Sequence, residues 1–135
     1  MAIEFKISTL LPATPEEIYT AWLSSDGHSK MTGGQASITA EVGAVFNAWD
    51  GYIIGRNLVL EYGKRIVQSW RTVEFDDNEP DSRLEITFEP AGTQTKIILK
   101  HSGLPPHGSQ YEQGWLENYF DPMARYFSEL QASDP

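Results

Sequence analysis

A chain of 135 residues, 40% hydrophobic and 21% charged with no cysteine, is expected to form one globular domain over residues 1–135 and excludes disulfides, thiolate metal sites and cysteine nucleophiles. Ten basic against nineteen acidic residues give a net charge of -9 and a pI near 4.6, which argues against non-specific nucleic-acid binding and against docking on anionic lipid headgroups. No apolar run approaches the ~20 residues of a membrane span and no signal-peptide core follows Lys6, so a cytoplasmic location is expected.

Ala2 to Leu10 alternates Ile3, Phe5 and Ile7 with Glu4, Lys6 and Ser8, the pattern of a half-buried strand. Thr14 then suits a helix N-cap, Pro15 the first helical position, and Glu16 and Glu17 the positive end of the helix dipole. Ile18, Ala21, Trp22 and Leu23 supply the buried side of that short helix. Ser24 to Gly34 predicts a second short helix before a glycine-rich loop. From Ala36 the period changes to two: Ala36–Ala40 and Val45–Trp49 read as strands joined through Glu41-Val42-Gly43, and Asp50-Gly51 is a hairpin turn signal. Tyr52 to Glu61 is a strand with Tyr52, Ile54, Leu58 and Leu60 on one face. On that parity Arg56 points inward and needs an anionic partner, unless a bulge at Gly55 turns it to solvent. After Tyr62-Gly63-Lys64 the chain returns along Arg65–Phe75. Asp76–Ser82 is an acidic loop, and a last hairpin faces Leu84, Ile86 and Phe88 and then Ile97, Leu99 and His101 to one side.

Ser109 to Leu130 carries the strongest helical pattern in the chain. Trp115, Leu116, Tyr119, Phe120, Met123, Phe127 and Leu130 recur at spacings of three and four, with Glu112, Glu117, Asn118, Arg125 and Glu129 largely off that stripe. Pro122 falls inside the pattern, so the Asn118 carbonyl lacks its donor and a bend is expected there. Trp115 and Tyr119 are expected to face a cavity, Phe127 and Leu130 solid core. The order of elements predicts an α+β domain: a curved antiparallel sheet of six or seven strands, two short helices after the first strand, and one long C-terminal helix covering the sheet.

Several strings in this order, ATPEEIYTAW, EVGAVFNAWDG, GYIIGRNLVLEYGKRIVQSWR, LKHSGLP and GWLENYFDPM, resemble the activator of heat-shock protein 90 ATPase homologue-like family. That family belongs to the START-like (SRPBCC) superfamily, and the likeness runs from Ile3 to Leu130. It implies a helix-grip fold with a cavity between helix and sheet, often occupied by an apolar small molecule. The chain departs from the family pattern at Gly43-Ala44, where a glycine pair is common. The resemblance is to the C-terminal module of the chaperone activator, without a counterpart of its separate N-terminal domain.

No metal or cofactor is expected: His28, His101 and His107 show no ligand spacing, and neither a GxSxG elbow nor a phosphate-binding glycine loop occurs. His101 reads as a satisfied buried histidine fixing the HSGLPP turn, or else as a polar anchor or general base in the cavity. The expected ligand-binding residues are Trp49, Tyr52, Trp70, Phe88, His101, Trp115, Tyr119 and Met123, gated by the Gly27–Gly34 and Gly103–Gly108 loops. Three functions remain open. The leading one is a carrier, sensor or stress-response domain for a hydrophobic small molecule or lipid. The second is a chaperone-interacting module. The third is a cyclase- or hydrolase-type enzyme using His101, Glu61 and Tyr52. Exposed sheet edges offer a route to a homodimer.

Overall fold

Residues 3–133 are described by a computed structural model. The element order is β1 (Ile3–Leu11), α1 (Pro15–Trp22), α2 (Ser25–Thr32), β2 (Val45–Ala48), β3 (Ile53–Glu61), β4 (Arg65–Thr72), β5 (Ser82–Ala91), β6 (Gln94–Leu104), α3 (Gln110–Trp115), a π turn (Leu116–Phe120) and α4 (Asp121–Ser133). The six strands form one antiparallel sheet in the order β1-β6-β5-β4-β3-β2. Ala2, expected at the start of β1, lies outside the described residues.

Local chemistry accounts for most element ends. Thr14 and Glu17 form a capping box: the Glu17 N–H donates to Thr14 Oγ1 at 3.1 Å and the Thr14 N–H to Glu17 Oε1 at 3.0 Å. Ser24 caps α2 by accepting from the Gly27 N–H, and Gly33 closes that helix in the left-handed region. The segment Ala36–Ala40 buries Ala36 and Ile38 as its alternation predicts, yet makes only one bridge, Ser37 to Asn47. Serines of α2 take its backbone groups instead. The Ile38 N–H donates to Ser25 Oγ, which donates to the Ile38 carbonyl, and the Ala36 N–H donates to Ser29 Oγ. A strand partner is therefore not needed, and the sheet stays at six.

Between Ile53 and Leu58 the face of β3 is the reverse of the expected one, while Tyr52 and, past the ladder irregularity, Leu60 pack on the core as expected. Ile53, Gly55 and Asn57 point inward, while Ile54 and Leu58 are 41% and 43% exposed. The inward face is fixed by Asn57, which is fully buried. Its amide donates to the Thr39 and Glu41 carbonyls, and its Oδ1 accepts from Gln68 Nε2. An asparagine with three satisfied bonds sits inside without cost, although in sequence it reads as a solvent residue. Gly55 is required by close approach: a Cβ there would lie 2.0 Å from the Ser69 carbonyl and 2.6 Å from the Phe46 ring. Arg56 points outward on this parity, its guanidinium donating to the Gly43 carbonyl. The irregularity in the ladder falls between Asn57 and Val59, not at Gly55.

The C-terminal helix runs across the inner face, with Trp115 against Trp70 of β4 and α4 against α2 and β1. Pro122 is accommodated by a change of register rather than by a break. The chain widens into the π turn, where the Asp121 N–H bonds back to the Leu116 carbonyl. Pro122 then falls second in α4, where a missing N–H matters least. The buried row follows strict i+4 steps, Trp115, Tyr119, Met123 and Phe127. Leu130 is three residues past Phe127, off that row, and is 46% exposed rather than part of the solid core.

Candidate ligand groove

A groove of about 460 Å³ opens between this helix and the β2–β3 end of the sheet. It is lined by Trp49, Tyr52, Ile53, Trp70, Gln110, Tyr111, Gly114, Trp115, Asn118 and Tyr119. The helix supplies pairs at positions 110 and 111, 114 and 115, and 118 and 119, so one residue of each pair faces the sheet and the other forms the rim. The opposite wall comes from the β2–β3 turn. Trp49, Asp50 and Gly51 all have positive φ (55°, 58° and 88°), which reverses the chain tightly. Left-handed backbone at a tryptophan is uncommon and costs about 1 kcal/mol. Here it lays the indole against Gly34, where a Cβ would come within 2.3 Å of the ring.

The floor is an aromatic cluster held by polar bonds beneath it. Trp70 packs against Tyr111 at 5.0 Å and Trp115 at 5.7 Å between centroids, and Trp115 against Tyr119 at 4.6 Å. Below them lies His101, fully buried. Trp115 Nε1–H donates to His101 Nδ1 at 3.0 Å. An indole nitrogen only donates, so Nδ1 is the acceptor and the proton is assigned to Nε2. That N–H donates to Ser82 Oγ at 2.8 Å, and the serine hydroxyl to the Trp70 carbonyl at 2.7 Å. The chain of bonds fixes both tryptophans, and burial lowers the His101 pKa to about 3. Its partners are thus Trp115 and Ser82 rather than the backbone of the HSGLPP turn.

His28 does the same for Tyr119. Its Nδ1 faces the Trp22 carbonyl at 2.9 Å and must donate, so its Nε2 accepts from the Tyr119 hydroxyl at 2.8 Å. Burial lowers the His28 pKa, partly offset by the bond to the carbonyl, and burial raises that of Tyr119. The phenol proton of Tyr119 is thereby turned away from the groove.

Two lining phenols converge on one carboxylate beside the groove: the Tyr52 hydroxyl donates to Glu74 Oε1, and the Tyr111 hydroxyl lies 3.5 Å from the same oxygen. Tyr111 also shares a 2.6 Å bond with Thr72 Oγ1, which accepts from the Glu74 N–H. Tyr52 and Tyr111 both have raised pKa values, burial being the main cause. The 73–81 loop behind Glu74 is pinned to the helix approach by a 2.8 Å bond between His107 and Glu79 and by Phe75 packing on His107 and Tyr111.

Of the eight residues expected to bind a ligand, Trp49, Tyr52, Trp70, Trp115 and Tyr119 line this groove. His101 lies beneath its floor. Phe88 packs against Tyr19 of α1, and Met123 is fully buried one helical turn beyond Tyr119. Glu61 is bonded to Arg65 at the far end of β3, about 30 Å of extended chain from Tyr52. Tyr52, His101 and Glu61 are therefore not brought together as an acid–base set. Of the two loops expected to gate the site, Gly27–Gly34 is mostly α2 and reaches the groove only through Gly34 under Trp49.

Ile53, from the face of β3 read as outward, was not expected at the site, and neither were Tyr111, Gln110, Gly114 and Asn118. Tyr111 is one i+4 step before Trp115, a signal present in the sequence. The other three are polar or small, and an apolar stripe does not report them. Among the described residues, no group of three or more His, Asp or Glu could hold a metal ion, and no helix is long and apolar enough to cross a membrane.

Fold and groove together define a START-like, helix-grip domain. The sequence matches the family model described as Activator of Hsp90 ATPase homolog 1-like protein over residues 12–128, and the chain belongs to that family. It is 26% identical over 115 residues to the human activator of 90 kDa heat shock protein ATPase homolog 1, covering 84% of this chain and 34% of the relative. A Dictyostelium discoideum homolog of that activator is 26% identical over 125 residues, covering 91% and 32%. The chain thus spans about a third of the length of these relatives. Among solved structures, an HSP90 activator from Plasmodium falciparum superposes with a TM-score of 0.80 at 21% identity, covering 88% of this chain and 91% of that one. A Mesorhizobium loti protein gives 0.79 at 18% identity, covering 98% and 100%.

Proposed function

We propose that this domain is a non-enzymatic carrier or sensor that holds an apolar or aromatic small molecule in the groove between its C-terminal helix and sheet. The observation that carries this reading is the groove itself: about 460 Å³ walled by three tryptophans and three tyrosines, with two carboxamides on the rim. That size and composition match small-molecule sites in general. Gly114 adds support. A glycine inside a helix costs about 1 kcal/mol against alanine, and here it leaves the groove wall open, its nearest neighbour for an added Cβ being Asn118 at 3.9 Å.

The test is ligand capture by the purified chain, read by native mass spectrometry and by thermal shift against an aromatic and fatty-acid library. Gly114→Leu, which projects a side chain into the groove while improving helix propensity, is expected to keep the fold and lose every hit. Hits that survive in Gly114→Leu, or a library without hits, would end this reading.

Family membership favours a second reading, a module that engages a heat-shock protein 90 chaperone. Pull-down with the chaperone and measurement of its ATPase rate test it; neither binding nor a rate change would remove it.

A further inference from the structure

We propose that the groove selects a planar aromatic molecule carrying a positive charge, and discriminates against anionic ligands such as fatty-acid carboxylates. This rests on the reading of the groove as a ligand site and adds the charge of its occupant. None of the ten lining residues is charged, so a carboxylate or sulfonate entering it meets no cation. Six of the ten lining side chains are indoles or phenols, and a ligand stacked on such a ring meets the negative quadrupole density of its face, which attracts a cation and disfavours an anion.

The carboxylate beside the groove has the same polarity. Glu74, itself outside the lining, accepts from the Tyr52 hydroxyl and lies 3.5 Å from that of Tyr111, and among the described residues it forms no ion pair. Two basic side chains flanking the 73–81 loop, Arg71 at the end of β4 and His107 before α3, are already engaged. Arg71 holds Asp81 and the Glu79 and Asp76 carbonyls, and His107 holds Glu79. A cationic ligand with its ring on Trp70 and Trp115 would direct its charge to the Glu74 carboxylate, where the Tyr52 hydroxyl is already bound. The rim carboxamides of Gln110 and Asn118 suit an amine or ring N–H, since each offers an acceptor oxygen. The net charge of -9 adds a field of the same sign over longer range.

Three probes of equal ring size separate the terms: 9-aminoacridine, cationic at neutral pH, 9-anthracenemethanol, neutral, and 9-anthracenecarboxylate, anionic. Titrations of the full chain, followed by tryptophan fluorescence and calorimetry at 150 mM salt, are expected to show the cation binding about tenfold or more tightly than the anion, with the neutral probe between. Glu74→Gln should remove most of that ratio by weakening the cation alone. Glu89→Gln, which deletes the same charge at the opposite end of β5, should leave the ratio intact and so separates the local carboxylate from net charge. Equal affinities for cation and anion, or a ratio unmoved by Glu74→Gln, would overturn the inference and leave the groove reading standing. If no probe binds, or Gly114→Leu binds all three as before, the groove reading fails and the inference with it.

Discussion

The buried His101 makes a prediction about acid stability that can be worked through. In the folded chain its pKa is lowered to about 3 from an ordinary value of 6.5, because burial disfavours the charged ring. Protonation would also turn Nδ1 from acceptor to donor and oppose it to the Trp115 N–H. Below pH 6.5 the unfolded chain takes up a proton that the folded chain refuses, so stability falls as pH falls, and continues to fall until about pH 3. The limiting slope is about 1.4 kcal/mol per pH unit, and between pH 7.5 and 4.5 the loss from this one residue is about 2.5 kcal/mol. His28 shifts in the same direction and adds to it. His107, whose pKa is raised chiefly by its bond to Glu79, acts in the opposite sense but is exposed to solvent screening. Urea unfolding of the wild type and of His101→Gln at pH 7.5, 6.5, 5.5 and 4.5 isolates the residue. The variant will be less stable at pH 7.5, since Trp115 Nε1 loses its acceptor. The informative quantity is the slope, and the gap between the two curves should narrow by about 2.5 kcal/mol toward pH 4.5. Parallel curves would refute the reasoning.

Three further outcomes are expected. Gly55→Ala should cost about 3 kcal/mol in urea unfolding, because its Cβ would overlap the Ser69 carbonyl, a backbone atom that cannot swing aside. Tyr119→Phe should cost about 2 kcal/mol by leaving His28 Nε2 without its donor. It should cost clearly less when His28 is also replaced by leucine, a double-mutant comparison that isolates the bond. Thr14→Ala should cost about 1 kcal/mol through loss of the capping box, with no effect on any ligand affinity measured alongside.

Local signals carried the architecture. The period-two strands, the Thr14-Pro15-Glu16-Glu17 helix start, the turn at Asp50-Gly51 and the amphipathic final segment each owe their form to neighbours close in sequence. The reversed face of β3 was not legible, because Asn57 is inward only when Thr39, Glu41 and Gln68 come to meet it. The missing strand at Ala36–Ala40 has the same kind of cause, since Ser25 and Ser29 occupy its backbone groups. At the groove, aromatic positions could be named from the pattern. The members contributed by Gln110, Gly114 and Asn118 could not, because they lie beside the apolar stripe. Nor could Glu74, which meets Tyr52 across the β3–β4 hairpin and Tyr111 across the β5–β6 hairpin.

The positions where this chain departs from locally favourable choices are concentrated at one place. Trp49 and Asp50 hold left-handed backbone in the turn that forms one wall. Gly114 interrupts a helix at the other wall, and the π turn begins immediately after Trp115 and contains Asn118 and Tyr119. Left-handed residues and a mid-helix glycine each cost about 1 kcal/mol, and wide helical turns are rare in proteins. Elsewhere the elements mostly follow their propensities, with capped starts to α1 and α2 and glycines at the other positive-φ positions; Gly55 and Asn57 in β3 are exceptions that close packing and buried hydrogen bonds explain. A fold selected for stability alone would have little reason to collect these costs around one opening. The π turn has a structural cause in Pro122 and the Trp49 turn packs its indole on Gly34, but Gly114 has no such cause in the packing, because alanine there would meet only Asn118 at van der Waals distance. Departures of this kind are expected where a site constrains the sequence. They favour the groove, rather than the exposed outer face of β3, as the part of the domain on which function acts.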